Sequence, residues 1–231
     1  MIQSFFSSLF GKKKFGPPPQ LLADQLRKPH GLLGKRVANK LNETNRFLYH
    51  FVLSNNEWKD GFEVLEIGFG NGKLFPTLFA KAKNLRITGL DFSEKMTQSA
   101  RRENRAQVQS GQLEIFDGAS DHMPFADGSF DFVFCINVIY FWENPDKHLA
   151  EIKRVLKPSG VFCTGMRPQA SMEKLPFTQF GFHLYTAEEW QSVLMRNGFH
   201  ISKCIHADEP PIALYDQQLK IESLCINTTI I

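Results

Sequence analysis

"VLEIGFGNGK", Val64 to Lys73, decides the fold. Its first four residues read as a buried strand, and three glycines then follow at alternate positions, Gly68, Gly70 and Gly72. Glycine removes side chains and permits left-handed backbone, so this turn is built for something to approach closely. A second strand-like run, "LRITGL" (85–90), ends on Asp91, 19 residues beyond Gly72. In an open parallel sheet, ligands sit beyond the carboxyl ends of the strands where the strand order reverses. The first strand–turn–helix offers backbone N–H groups there. An acid at the end of the next strand can accept both hydroxyls of a ribose. Together the turn and the acid predict a nucleoside site.

Outward from this turn, apolar runs alternate with helical patterns. Strands are expected at 63–67, 85–90, 112–116, 130–136, 161–166 and 199–205, with a last one at 217–228 returning antiparallel. Helices are expected at 73–82, from the N-cap Ser93 to about Val108, at 145–156 and at 186–197. Nearly all-apolar strands such as "FDFVFCI" (130–136) imply a mostly parallel sheet covered on both faces. Before the sheet, residues 21–53 have a helical pattern interrupted near Pro29–Gly34. The expected architecture is therefore α/β, a doubly wound seven-stranded sheet with an antiparallel last strand and an N-terminal helical cap. The expected organisation is an arm at 1–20, a cap at 21–58 and the main domain at 59–231.

Composition narrows the function classes. Of 231 residues, 42% are hydrophobic and 22% charged, enough for one α/β domain with a small appendage. The net charge of +3 is uneven: residues 1–50 hold nine Lys/Arg against Asp24 and Glu43, which leaves −4 for the rest. The main domain is not a basic nucleic-acid platform. The four cysteines form no CxxC pair and no zinc spacing, which points to reduced thiols and no metal. Without a 20-residue apolar span or a secretory leader pattern, the expected location is the cytoplasm.

Two other nucleotide motifs are excluded by position. A dinucleotide fingerprint G-x-G-x-x-G starting at Gly68 needs glycine where Lys73 stands, and one starting at Gly70 needs it where Phe75 stands. There is no G-x-x-x-x-G-K-[ST] phosphate loop. The pattern Glu66-x-Gly68-x-Gly70-x-Gly72 instead resembles motif I of the class I S-adenosylmethionine-dependent methyltransferases. "GLDFSEKM" (89–96), "MPFADGSFDFV" (123–133), "INVIYFWENP" (136–145), "EIKRVLKPSG" (151–160) and "LYTAEEWQSVLMRNGF" (184–199) are similar to the type 11, ubiquinone/menaquinone-biosynthesis-like small-molecule branch. "RKPHGLLGKRVANKLNETN" (27–45) is like the cap of one subgroup, so the resemblance spans about Arg27 to Phe199.

The resemblance implies S-adenosyl-L-methionine as cofactor and a Rossmann-like Fold. It implies that Gly68, Gly70 and Gly72 admit the methionine part and ribose, with Glu66 ordering the loop or reaching the amino group through water. By the same likeness Asp91 holds the ribose hydroxyls, Phe92 flanks the adenine and Asn137 offers its carbonyl to the ammonium. The family commonly places an acid five residues before the proline matching Pro124, and this chain has Ala119 there. In the segment Asp117–Gly118–Ala119 the adenine contact is assigned to Asp117, which ends its strand, with Asp121 as the other nearby acid.

Methyl transfer needs an in-line nucleophile near the methyl group and a pocket poor in water, but no dedicated acid. The catalytic residue is left open, with Tyr140, His183 and Tyr185 as candidates; His122 and His148 are expected at the surface. Asn42 and Asn45 share one helix face, and with Tyr140 and Trp142 they are the candidate acceptor contacts. The expected acceptor is a small apolar molecule. The alternatives are transfer to RNA or protein, and cofactor binding without transfer. "Asn137-Val-Ile-Tyr140" lacks the prolines of the flipped-base methyltransferases, which argues against nucleic acid. Ile2, Phe5, Phe6 and Leu9 form a helical stripe followed by Lys12, Lys13 and Lys14, a pattern suited to peripheral membrane contact through residues 1–14. Oligomeric state is not legible.

Overall fold

The computed structural model describes residues 17–214 and 217–231. The stripe and lysine cluster of residues 1–14 lie outside the described residues.

Seven strands make one sheet: β1 (Glu63–Ile67), β2 (Arg86–Asp91), β3 (Leu113–Asp117), β4 (Phe130–Ile136), β5 (Leu156–Met166), β6 (Phe199–Asp208) and β9 (Glu222–Ile230). The order is β3-β2-β1-β4-β5-β9-β6. The pairs β1–β2, β2–β3, β1–β4 and β4–β5 are parallel, and β9 runs antiparallel to both of its neighbours. The order reverses between β1 and β4, so the crevice opens beyond Ile67 and Ile136. The expected last strand is divided: β7 (Ile212–Leu214) and β8 (Gln217–Leu219) pair separately, and β9 begins at Glu222.

Alternate residues of the central strands feed two cores, as a sheet covered on both faces requires. Leu65, Ile67, Val133 and Cys135 pack toward α7 (Pro145–Val155) and α9 (Ala187–Arg196). Val64, Phe132, Phe134 and Cys163 pack toward α3 (Arg46–Ser54), α4 (Phe75–Phe79) and α5 (Glu94–Glu103). Local signals place these helices well. Asn144 caps α7 by accepting from the Asp146 N–H, with Pro145 at its first position. Thr186 and Glu189 form a reciprocal capping box at α9.

Two expected helices are shorter than the sequence pattern suggested. The helix expected at 73–82 is only α4, five residues long and begun one residue before Pro76. The helix expected to run to Val108 breaks at Asn104, giving α5 and α6 (Arg105–Gln109), because the Asn104 amide turns inward. It donates 3.0 Å to both Gly72 O and Ala100 O.

Ahead of the sheet lie α1 (Pro19–Arg27), α2 (Gly31–Thr44) and α3, with breaks at 28–30 and at Asn45. Three contacts fasten the first break, two at the carboxyl end of β2 and one to the segment after β4. Arg27 pairs with Glu143 at 3.0 Å, the Lys28 ammonium sits 5.5 Å from the Phe92 ring centroid, and Ser93 Oγ donates to Pro29 O at 3.3 Å.

Candidate active site

A cavity of about 490 Å³ lies between the helical cap and the carboxyl ends of β1, β2 and β4. That volume is within the range of small-molecule sites. Its lining includes Glu66, Gly68, Gly70, Asp91, Phe92, Gly118, Ala119, Asn137, Asn42, Asn45, Tyr140 and Trp142, so the fold brings most of the candidate positions to one place.

The glycines divide into two kinds. A Cβ on Gly68, held at φ +74°, would run into the Val138 side chain. Gly70 has open space around it and donates its N–H to Asp91 Oδ2 at 2.9 Å. Gly72 is not in the cavity wall; a Cβ there would meet Ala100 Cβ at 2.7 Å and Asn104 Nδ2 at 2.9 Å. Its place in the pattern follows from the close approach of α5. The helix start expected behind this turn is likewise displaced, and the loop backbone rather than α4 faces the cavity.

Asp91 is 7% exposed and accepts the Gly70 N–H and, through Oδ1, the Ser93 N–H at 2.9 Å. Burial pushes its carboxyl up to about 6, opposed by those two backbone donors and aided by the nearby charge of Asp117. Glu66 is more deeply held. Its Oε2 accepts from Tyr49 Oη at 2.9 Å, a contact from α3 that the sequence pattern did not signal. Burial pushes Glu66 up to about 8; the Tyr49 bond works against this and the Asp91 charge adds to it. No cationic side chain bonds to either acid among the described residues.

A carboxyl whose pKa is raised by folding binds a proton more tightly in the folded state, so stability falls as pH rises from the unfolded value toward the folded one. The wild type is therefore expected to lose a few kcal/mol between about pH 5 and pH 8 relative to Glu66→Gln, with the difference levelling off above about pH 8. Urea unfolding of both proteins across that range checks it. Parallel curves would show that Glu66 does not titrate there.

Asp117 stands apart. It is paired with Arg101 at 3.3 Å and bonded by the Thr97 hydroxyl, outside the cavity wall, whereas Asp121 lines it. His148, expected at the surface, is half-buried, stacked on Trp142 with centroids 4.6 Å apart and joined to Ser120 Oγ at 2.8 Å. The Trp142 ring is thereby fixed in the wall, 4% exposed.

The three catalytic candidates are not equivalent. Tyr140 Oη contacts Asn137 Oδ1 at 3.2 Å and Arg167 O at 2.8 Å, and accepts the Arg167 N–H at 2.6 Å. Burial raises its hydroxyl pKa further. It braces the wall and is not poised to take a proton. His183 is exposed and Tyr185 packs on Trp190; neither lines the cavity. Asn137 sits at φ +56°, its N–H on Gly165 O at 2.9 Å and its amide on Asn45 Oδ1 at 3.1 Å. Asn45 also accepts from Arg167 Nη1 at 3.4 Å. Arg167 is bound in turn by Glu209, Nε to Oε1 at 2.5 Å and Nη2 to Oε2 at 3.0 Å, and it donates to Thr44 O at 2.9 Å. This buried ion pair ties the α2–α3 junction to the sheet, and no local sequence signal announced it.

Comparison with known proteins agrees with this geometry. A family model described as a methyltransferase domain matches residues 65–164. The uncharacterized methyltransferase YdaC of Bacillus subtilis is 30% identical over 133 residues, 56% of this chain and 71% of that protein. The ubiquinone/menaquinone biosynthesis C-methyltransferase UbiE of Desulfotalea psychrophila is 27% identical over 168 residues, 72% of this chain and 65% of its own. Among solved structures, a SAM dependent methyltransferase from Aquifex aeolicus superposes with a TM-score of 0.66 at 21% identity, covering 84% of this chain and 97% of that one. The glycine turn, the strand-end acid and the reversed strand order thus come together in a chain that belongs to the class I methyltransferase family, in its type 11 branch.

Proposed function

We propose that this methyltransferase uses S-adenosyl-L-methionine to methylate a small apolar molecule. Asp91 carries the reading. It is buried at the end of β2 beside the glycine turn and spends two acceptor positions on Gly70 and Ser93. A carboxylate has about four such positions, and the others suit the two hydroxyls of a ribose. Bound there, the cofactor supplies an electrophilic methyl on a sulfonium. Asp91 and Glu66, two buried acids without a bonded cation among the described residues, fit a ligand that is itself positively charged.

The chain's own contribution is positioning and exclusion of water. Asp91 and the loop backbone orient the nucleoside end, and Phe92 flanks it at the rim. Leu26, Leu41, Leu175, Phe177 and Phe182 give the remaining wall an apolar surface, which supports an apolar acceptor. The quinone pathway in the name of the UbiE relative belongs to that protein and is in keeping with this wall.

S-adenosylhomocysteine at about 100 times its Kd is expected to stabilise the protein by about 2.7 kcal/mol, visible as a higher melting temperature, while NAD leaves it unchanged. A shift with NAD and none with the adenosyl compounds would overturn the cofactor reading. A screen of acceptors with methyl-labelled cofactor then tests transfer itself. Label appearing only in RNA or protein would replace the small acceptor with a macromolecule.

A further inference from the structure

Glu66 is an acid in an apolar row. On β1 it follows Val64 onto the face that packs toward α3, with Phe134 of β4 beside it on one side and Gly89 of β2 on the other. An apolar side chain would suit that place, and a buried carboxyl is costly unless it is bonded or paired. Its two oxygens differ. Oε2 accepts the Tyr49 hydroxyl at 2.9 Å. Oε1 has no hydrogen-bond partner among the described residues, yet it is not sealed, because Asn42 Nδ2 is the atom there that is both sealed and unpaired. The exposure that Glu66 keeps, 5%, lies in the cavity wall, which Tyr49 also lines. Tyr49 is itself fixed. It is buried on α3 and sets its ring edge-on to Phe134, with centroids 6.1 Å apart. Phe134 is the cross-strand neighbour of Glu66, so one side chain braces both the donor and the acceptor.

We propose that Tyr49 is a positioning residue for the cofactor: by holding Oε2 from α3 it leaves Oε1 of Glu66 turned to the cavity, where that oxygen receives the ammonium of the cofactor's amino-acid end. This rests on the cavity's binding S-adenosyl-L-methionine. An ammonium suits the place better than the sulfonium, which has no N–H to donate. Asp91 faces Glu66 from β2 and adds its negative charge to the same wall, so a cation gains from both acids. The other titratable groups against Glu66 are Tyr49 from α3 and Cys135 from β4, both kept neutral because burial raises them. Of the cations in the wall, Arg167 is engaged by Glu209, Arg27 is engaged by Glu143, and Lys147 is exposed. The Tyr49 bond also favours the ionised form of Glu66, which burial and the Asp91 charge oppose. One hydroxyl of the cap thus sets both the aim and the charge of an acid on the sheet.

Two ligands isolate the amino-acid end: S-adenosylhomocysteine, which carries the ammonium, and 5′-methylthioadenosine, which keeps the nucleoside and thioether without it. Calorimetry of each from about pH 6 to about pH 8.5 gives a ratio of affinities in which the contribution of Asp91 to the nucleoside end cancels. In the wild type this ratio is expected to climb with pH and to level off above about 8, as Glu66 becomes ionised. In Tyr49→Phe the climb is expected about one pH unit higher, the scale of a hydrogen bond to a charged group. At about pH 7 S-adenosylhomocysteine then binds about tenfold more weakly, while methylthioadenosine binds as before. The unchanged ligand certifies that the variant is folded. Glu66→Gln is expected to flatten the ratio across pH, and Tyr49→Phe added to it is expected to change nothing further. A loss shared equally by both ligands, no loss at all, or a loss that persists in the Glu66→Gln background would overturn the assignment and leave the cofactor reading standing. If the wild type binds neither ligand, the cofactor reading fails, and the role of Tyr49 falls with it.

Discussion

Asp91→Ala is expected to bind S-adenosylhomocysteine roughly ten to a hundred times more weakly than the wild type, since hydrogen bonds to a charged group are worth about 1.5–3 kcal/mol. Two consequences of the substitution act together. The ligand's hydroxyls lose their acceptor, and the Gly70 and Ser93 N–H groups lose the carboxylate that now fixes the loop at 2.9 Å on each side. Asp91→Asn separates the two, because an amide keeps one acceptor oxygen and most of the shape. It is expected to fall between wild type and alanine. Calorimetry on folded protein decides it, and equal affinities for wild type and Asp91→Ala would remove Asp91 from the site.

Arg167→Met is expected to be strongly destabilising. Side-chain exposure in the Arg167–Glu209 pair is 9% and 3%, so the substitution leaves a buried carboxylate with the Ser223 hydroxyl as its remaining partner. Breaking such a pair by removing one member costs about 3–5 kcal/mol, or roughly 10 °C in melting temperature for a domain of this size. The α2–α3 junction also loses its tie, because Thr44 O and Asn45 Oδ1 no longer receive the guanidinium. Replacing both members, Arg167→Met with Glu209→Leu, is expected to recover much of the loss, because an apolar pair needs no compensation for a lone charge. Thermal unfolding of the three proteins checks this. A single variant that melts within about 2 °C of wild type would mean that Glu209 finds water or another donor.

What the sequence made legible was local or periodic. The glycine turn, Asp91 at a strand end, the two-faced apolar strands and the caps at Asn144 and Thr186 each carry their signal within a few residues. The structure departs where one distant side chain decides. Pro76 sits inside an apolar pattern that reads as helix, yet only Phe75–Phe79 is helical. Asn104 looks like a solvated helix position until Gly72 O, 32 residues earlier, takes its amide. Asp117 and Asp121 cannot be ranked from spacing, because the outcome depends on Arg101, which draws Asp117 onto the outer strand. Tyr49 and Glu209 carry no motif at all. Their roles exist only once chain segments 17 and 42 residues apart are folded together.

The place of β9 has a consequence for how the molecule is made. It lies inside the sheet, and β6 pairs with the rest of the sheet only through it. Cys163 is opposite Asn227, so that rung waits for a segment more than sixty residues later in the chain. During synthesis β1 to β5 can assemble in order, but the outer rail of β5 stays unpaired and β6 has no place to dock until residues 222–230 emerge. Such late, long-range closure slows folding and leaves a sticky strand edge open meanwhile. In a growing chain the half-built sheet, with Phe162 and Cys163 at its open border, is the species a chaperone would have to shield.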